Sequence, residues 1–194
     1  MQNIPQMLQS PISATILLSS LTLSLLTTFN ICSKYAFTLD FYTITAGEYY
    51  RLITGVLYLG KLSLFNIFFF INNINYISQL EKSFFAGKVK KLIGFLFYIY
   101  TFTVIFAYFL VIKEASSCFF GAITYLWVRL NPDSLFVFMG FLPLQAPVLP
   151  FLNMLIRYIN KRSLLPMIIG YILGHIYWVF DVVVPKILVN NYRK

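Results

Sequence analysis

Charge is scarce in this chain. Only 11% of its 194 residues are Asp, Glu, Lys or Arg, and 59% are hydrophobic; soluble domains carry about 25% charged residues. That shortage excludes an ordinary soluble domain and indicates a polytopic membrane protein, with little room in 22.5 kDa for anything between spans. Acidic residues are the scarcer sign, six against fifteen basic, for a net charge of +9. The basic residues are scattered among apolar runs, the pattern of side chains that meet lipid phosphate, so membrane lipid is the expected partner and nucleic acid is not. Histidine occurs once, at His175, and cysteine twice, at Cys32 and Cys118, with no CxxC pair. A zinc or other metal site is therefore unsupported, and no cofactor or nucleotide motif is present. No Asn-x-Ser/Thr acceptor occurs. No Lys or Arg precedes Lys34, so the first apolar run lacks the basic flank of a cleaved signal and is expected to stay as a span.

What is there is a series of apolar runs bounded by charges. They predict six spans, all helical, because an open sheet cannot satisfy its backbone in lipid. The first covers Ile12–Phe29, with Pro11 suited to its first turn. A polar, Tyr-rich loop of about residues 31–61 follows, and then a second span over Leu62–Leu80. The charged connector, about 81–91, leads to a third span over Leu92–Ile112, and Lys113-Glu114 turns tightly into a fourth over Ala115–Leu130. Pro143, Pro147 and Pro150 break the next run, predicting an irregular or re-entrant stretch and a short fifth helix from Pro147 to Ile159. The sixth span covers Leu164–Val184, and Pro185 opens a short basic tail, 185–194. The fourth and fifth helices are short for a hydrocarbon core of about 30 Å, a mismatch met by tilting, thinning or water. With both termini on one side, that side holds Lys82, Lys88, Lys90, Lys91, Arg129, Lys186, Arg193 and Lys194, and the opposite side seven basic residues. The dense connector favours cytosolic termini.

Small and polar residues within the spans supply the candidate site. Gly170 and Gly174 lie at i, i+4 on span six, the spacing that lets helix backbones approach, and span four offers Ser117, Gly121 and Thr124 as a matching face. Packing those faces together would bring Ser116 or Ser117 toward His175, the minimum pair for an activated serine nucleophile. The same residues also fit plain helix packing with the polar groups satisfying one another. Asn66 and Asn73, seven apart on span two, are candidates to line a polar notch with Ser116, Ser117 and His175.

Five ordered segments resemble the Derlin (Der1-like) family. Gly174-His175-Ile176-Tyr177-Trp178-Val179-Phe180 with Asp181 and Pro185 resembles its GHIYYF…D…P end, and Gln145-Ala146-Pro147-Val148-Leu149-Pro150 its QAPFLP segment. Leu80–Lys88 resembles its LEEGSFRGR-type connector, Tyr49-Tyr50-Arg51-Leu52-Ile53-Thr54 its WRLVT, and Tyr125-Leu126-Trp127-Val128-Arg129 its YVWSR. The resemblance implies a single domain over 1–194, a rhomboid-like bundle of six transmembrane helices. It implies a multi-pass protein of the endoplasmic reticulum membrane with both termini cytosolic. The implied role is non-catalytic: moving misfolded client polypeptides toward cytosolic degradation (ERAD) with an ERAD ubiquitin-ligase complex and the Cdc48/p97 ATPase. Tyr49, Tyr50 and Arg51 become the expected client contacts.

Rhomboid proteases, to which Derlins are similar, carry a Gly-x-Ser-Gly nucleophile on helix four. Counting back from Tyr125 places that position on Ser116, but its surroundings read Glu114-Ala115-Ser116-Ser117, and bulky Tyr177, Trp178 and Phe180 follow His175. An oxyanion site needs room, so a pseudoprotease is expected and an active protease using Ser116 and His175 is the alternative. The tail after Pro185 has no glycine, so the motif with which some Derlins recruit the ATPase is absent and contact with it is expected to be indirect. Service as a Der1-like preprotein translocon subunit of a complex plastid is a further alternative.

Overall fold

A computed structural model describes residues 10–138 and 142–192. Helix α1, Pro11–Thr28, has proline in its first turn but no side-chain cap of its own. Its N-terminal N–H groups are satisfied from a distance. The Glu81 carboxylate accepts from Ile12 N (3.3 Å) and from Ser13 N (3.0 Å) and Oγ (2.7 Å), and Ser10 and Ser78 share a hydroxyl bond of 3.2 Å. A carboxylate at a helix N-terminus also complements the positive end of the macrodipole, so the pair ties the first span to the end of the second. The buried face of α1 is Ser13, Ser20, Ser24 and Thr27, small hydroxyls that let helices approach. Outward-facing Thr15, Ser19 and Thr22 each donate to a carbonyl four residues back, which removes their unmet donors from lipid.

The loop after α1 is built rather than slack. A 3₁₀ turn, Lys34–Phe37, is followed by α2, Phe41–Thr45, capped by Asp40, and α3, Arg51–Leu57. Helix α4, Leu64–Lys82, starts at a Ser63 cap, and α5, Val89–Phe109, leads through a tight turn to α6, Ala115–Leu130. Almost every residue of α6 is buried, Tyr125, Arg129 and Leu130 excepted, so this helix is the axis of the molecule. It joins α4 by a polar seam: Thr124 donates to Asn73 Oδ1 (3.0 Å), Trp127 Nε1 to Gln79 Oε1 (2.8 Å), and Tyr76 stacks on the Trp127 ring.

Helix α7, Leu149–Ile159, has a narrow buried strip of Leu149, Pro150, Asn153 and Arg157, while Phe151, Leu155, Tyr158 and Ile159 point outward. Helix α8, Leu165–Trp178, runs alongside α6 in the same direction, at backbone contact. A Cβ on Gly170 would overlap the Cys118 carbonyl oxygen, one on Gly174 would lie 2.6 Å from Ala122 O, and one on Gly121 3.3 Å from Met167 O.

Two expectations need correction. Among the described residues the chain is mostly helical but not all-α: β1, Leu135–Phe138, and β2, Leu142–Gln145, form an antiparallel hairpin with Phe136 opposite Leu144. Ala146 N then bonds Ser134 O (2.9 Å), which closes the hairpin, and Pro147 and Pro150 fall in a 3₁₀ turn, Ala146–Val148, and the first turn of α7, where no N–H is needed. The last helix does not stop at Pro185. It passes through a π turn, Val179–Val183, into α9, Val184–Tyr192. A wider turn makes room for the proline ring that would otherwise clash one turn back. Arg193 and Lys194, counted above with the cytosolic side, lie outside the described residues. Among the described residues, Pro11–Thr28, Val89–Phe109 and the continuous Leu165–Val189 are long and apolar enough by themselves to cross a membrane. Helix α4 is interrupted by five amide side chains, and α6 and α7 have 16 and 11 residues, about 24 and 16 Å at 1.5 Å per residue.

Because Gly170 and Gly174 face backbone that cannot move aside, Gly170→Ala and Gly174→Ala should each destabilise the fold by about 1–3 kcal/mol. Gly94→Ala on α5, with open space around it, should be neutral or slightly stabilising. Thermal unfolding of the three variants in detergent checks this ranking.

Candidate functional site

The turns at one end of the bundle enclose a cavity of about 550 Å³. Its walls come from the loop (Lys34, Tyr35, Thr38), from α3 and the segment after it (Gly55, Tyr58, Leu59, Gly60, Lys61), from the start of α4 (Ser63, Asn66), from the α5–α6 turn (Lys113, Glu114), and from Ser116, Ser117 and Arg162. A cleft of about 40 Å³ adjoins it between α4 and α7, walled by Phe68, Phe69, Asn153 and Ile156; the two share Leu59, Asn66, Ser117 and Arg162.

The loop wall is stiff because of Arg51. The residue is 8% exposed; its side chain pairs with Glu48 and donates to the carbonyl oxygens of Tyr35 and of Thr38 (3.2 Å). Arg51 is thus turned inward as a staple of the loop, whereas Tyr49 and Tyr50 are exposed. Leu39 N donates to Lys113 O (3.4 Å), and Gly55 presses on Leu39, so the loop is also fastened across to the α5–α6 turn.

Arg157 organises the other wall. Only 7% exposed, its guanidinium donates to Ser117 Oγ, to Glu114 Oε2 (2.8 Å) and twice to Ser163 O (3.0 and 2.7 Å), joining α7, α6 and the turn before α8. A planar fork with several fixed donors suits this task in a way a lysine does not. After α7, Lys161 adopts a left-handed conformation (φ +54°), and Arg162 N bonds back to Arg157 O (3.0 Å). That reversal places the Arg162 guanidinium beside Gly60 and Asn66 at the cavity.

The polar residues singled out in the sequence divide between two ends. Asn66, Ser116 and Ser117 line the cavity. Asn73 does not: it is buried against Thr124. His175 lies at the opposite end, exposed, its Nδ1 2.8 Å from Tyr125 Oη and its ring near Trp178. Since α6 and α8 run in parallel, the α8 residue that shares a pocket wall with Ser117 is Met167. Tyr125 stands eight residues beyond Ser117, about 12 Å along the helix. Ser116 and His175 are therefore not brought together, and Met167 offers no proton acceptor. Tyr177 packs on Phe95 and Tyr98, and Trp178 lies under Arg129 at 4.3 Å, so neither plugs a space between α6 and α8. Backbone contact at the glycines closes that space instead.

Arg157, Glu114 and Arg162 were missed as site residues because each flanks an apolar run and reads as an interfacial charge. The legible signal was Asn153 and Arg157 at i, i+4 on a short helix that is otherwise apolar. Among the described residues no group of three or more His, Cys, Asp or Glu comes together.

Comparison with known proteins gives one consistent result. Residues 10–191 match the Der1-like family. An uncharacterized derlin-like protein of Schizosaccharomyces pombe is 25% identical over 171 residues, 87% of this chain and 90% of that protein. A probable derlin-2 homolog of Dictyostelium discoideum is 24% identical over 153 residues, covering 75% of this chain and 59% of the relative. Derlin-1.2 of Zea mays is 35% identical over 72 residues, 37% of this chain and 30% of its own length.

Two outcomes follow from the geometry. With His175 at the opposite end of the bundle, Ser116 should not react with a fluorophosphonate probe, and labelling that disappears in Ser116→Ala would contradict this. Arg157→Ala should cost roughly 2 kcal/mol or more, since several charge-assisted bonds are lost together, and Arg157→Lys should recover only part of it; unfolding midpoints in detergent read both.

Proposed function

The chain belongs to the Der1-like family, and on that premise we propose that it is a non-catalytic derlin-type subunit of an endoplasmic reticulum retrotranslocation complex. In this reading it crosses the membrane six times with both termini in the cytosol, and the loop face with its cavity lies on the lumenal side. Misfolded polypeptides enter there, an ERAD ubiquitin-ligase complex receives them, and the Cdc48/p97 ATPase acts through another protein.

The observation that carries the reading is the polar cavity set beside two short helices of the bundle, α6 and α7. A chain crossing hydrocarbon exposes peptide groups that each cost several kcal/mol when unsatisfied. Two things lower that barrier: a thinner apolar slab and a wall of hydrogen-bonding side chains. Helix α7, with 11 residues and an outward face of Phe151, Leu155, Tyr158 and Ile159, favours local thinning of the bilayer. Ser63, Asn66, Ser116 and Ser117 supply donors and acceptors at the mouth. A half-channel of this kind breaks no covalent bond, which accords with the separation of Ser116 from His175.

The test is extraction of a misfolded client from vesicles containing the chain and its partners. Asn66→Leu combined with Arg162→Leu should slow extraction by about fivefold, ~1 kcal/mol on the barrier, with the unfolding midpoint little changed. Extraction at the unaltered rate would remove the cavity from the pathway. Cryo-electron microscopy in a nanodisc should further show the bilayer thinned beside α7, and a slab of uniform thickness there would count against the thinning.

A further inference from the structure

The cavity is strongly and asymmetrically charged. Lys34, Lys61, Lys113 and Arg162 line it, brought from four separate turns of the chain. Glu114 is the one carboxylate among the lining residues, and it is committed to Arg157 at 2.8 Å. Three of the four cations have neutral neighbours: Lys61 Nζ donates to Asn30 Oδ1 (2.7 Å), Lys34 Nζ sits over the Tyr35 ring, and Arg162 lies near Gly60. None of the four forms a salt bridge among the described residues. The nearby carboxylates are engaged elsewhere, Glu48 with Arg51 and Asp40 at the cap of α2.

Four cations around one concave, partly apolar wall repel one another and focus a positive potential into the cavity. We infer that this cavity selects polypeptide segments bearing carboxylates, Asp or Glu side chains or a free C-terminus, over neutral or basic ones. The inference rests on the conduit reading and names its preferred substrate chemistry. A polypeptide suits the site better than a lipid phosphate. The adjoining cleft between α4 and α7 holds only about 40 Å³, too little for a pair of acyl chains. A headgroup seated in the cavity would have no way out for its acyl chains. A polypeptide arriving from the loop face needs no such exit, and Asn66, Ser116 and Ser117 stand beside the cations to meet its backbone.

The test uses the full chain in phosphatidylcholine nanodiscs, with a photoreactive residue replacing Leu59 in the cavity wall. Three otherwise identical fluorescent peptides carry an Asp/Glu cluster, the corresponding Asn/Gln cluster, or a Lys cluster. Crosslinking yield and fluorescence anisotropy report occupancy and affinity. The acidic peptide should bind about tenfold tighter than the amide form and the Lys peptide more weakly still, with the preference shrinking toward about 0.5 M salt. Lys113→Glu with Arg162→Glu should reverse the order, so that the Lys peptide binds best; a reversal cannot come from an unfolded protein. Equal binding of all three peptides, or a preference that survives the charge reversal, overturns the inference and leaves the conduit reading standing. Binding of no peptide overturns both. Displacement of the acidic peptide by phosphatidylserine in the disc, together with crosslinking of that lipid, would identify the occupant as a lipid phosphate and likewise overturn it.

Discussion

Backbone contact between α6 and α8 is the constraint on which the remaining structure depends. Gly170 and Gly174 sit where a single methyl group would strike the carbonyl oxygens of Cys118 and Ala122. In lipid, the gain from hiding apolar surface is largely absent between helices, so close packing and hydrogen bonding have to hold them together. With α8 pressed on one side and α4 joined on another through Asn73, Gln79 and Trp127, α6 becomes an axis with almost no exposed surface. Its two ends are then the places where the chain can open to water.

Each end is organised by an arginine. At the loop end Arg157 gathers α6, α7 and the turn before α8 around Ser117 and Glu114. At the far end Arg129 lies over Trp178, next to the bond between His175 and Tyr125. A serine and a histidine that a glycine-matched pair of helices promised to unite are held at opposite ends by the direction of the helices. The same parallel arrangement aligns Gly121 with Met167 and Gly174 with Ala122, so no sliding of one turn restores the pair without breaking the contact.

The cavity has a different origin from the helix packing. No single helix builds it; it forms where four turns meet above a short α6 and a shorter α7. Arg51 and Leu39 hold the loop down over it, and the left-handed Lys161 turns Arg162 back toward it. Short helices thus do two things together: they shorten the apolar path, and they leave room at the end of the bundle for polar side chains that could not stand within the hydrocarbon.

Composition and hydrophobic runs determined by themselves that the chain is a helical membrane protein. The fourth helix, Ala115–Leu130, was legible to the residue because charges and an Asn-Pro turn bound it on both sides. The ordered motifs identified the Derlin resemblance, and the glycine spacing on span six marked a close helix contact. Tertiary structure alone decided the rest. It set the register between α6 and α8, which separates Ser116 from His175, and it turned Arg51 and Arg157 inward. It also gathered Lys34, Lys61, Lys113 and Arg162 around one cavity from positions spread over 129 residues of sequence. The reason is physical. Periodicity and propensity act within about one helical turn, whereas the partner of a buried charge is chosen by which turns of the chain the packed helices bring to the same end.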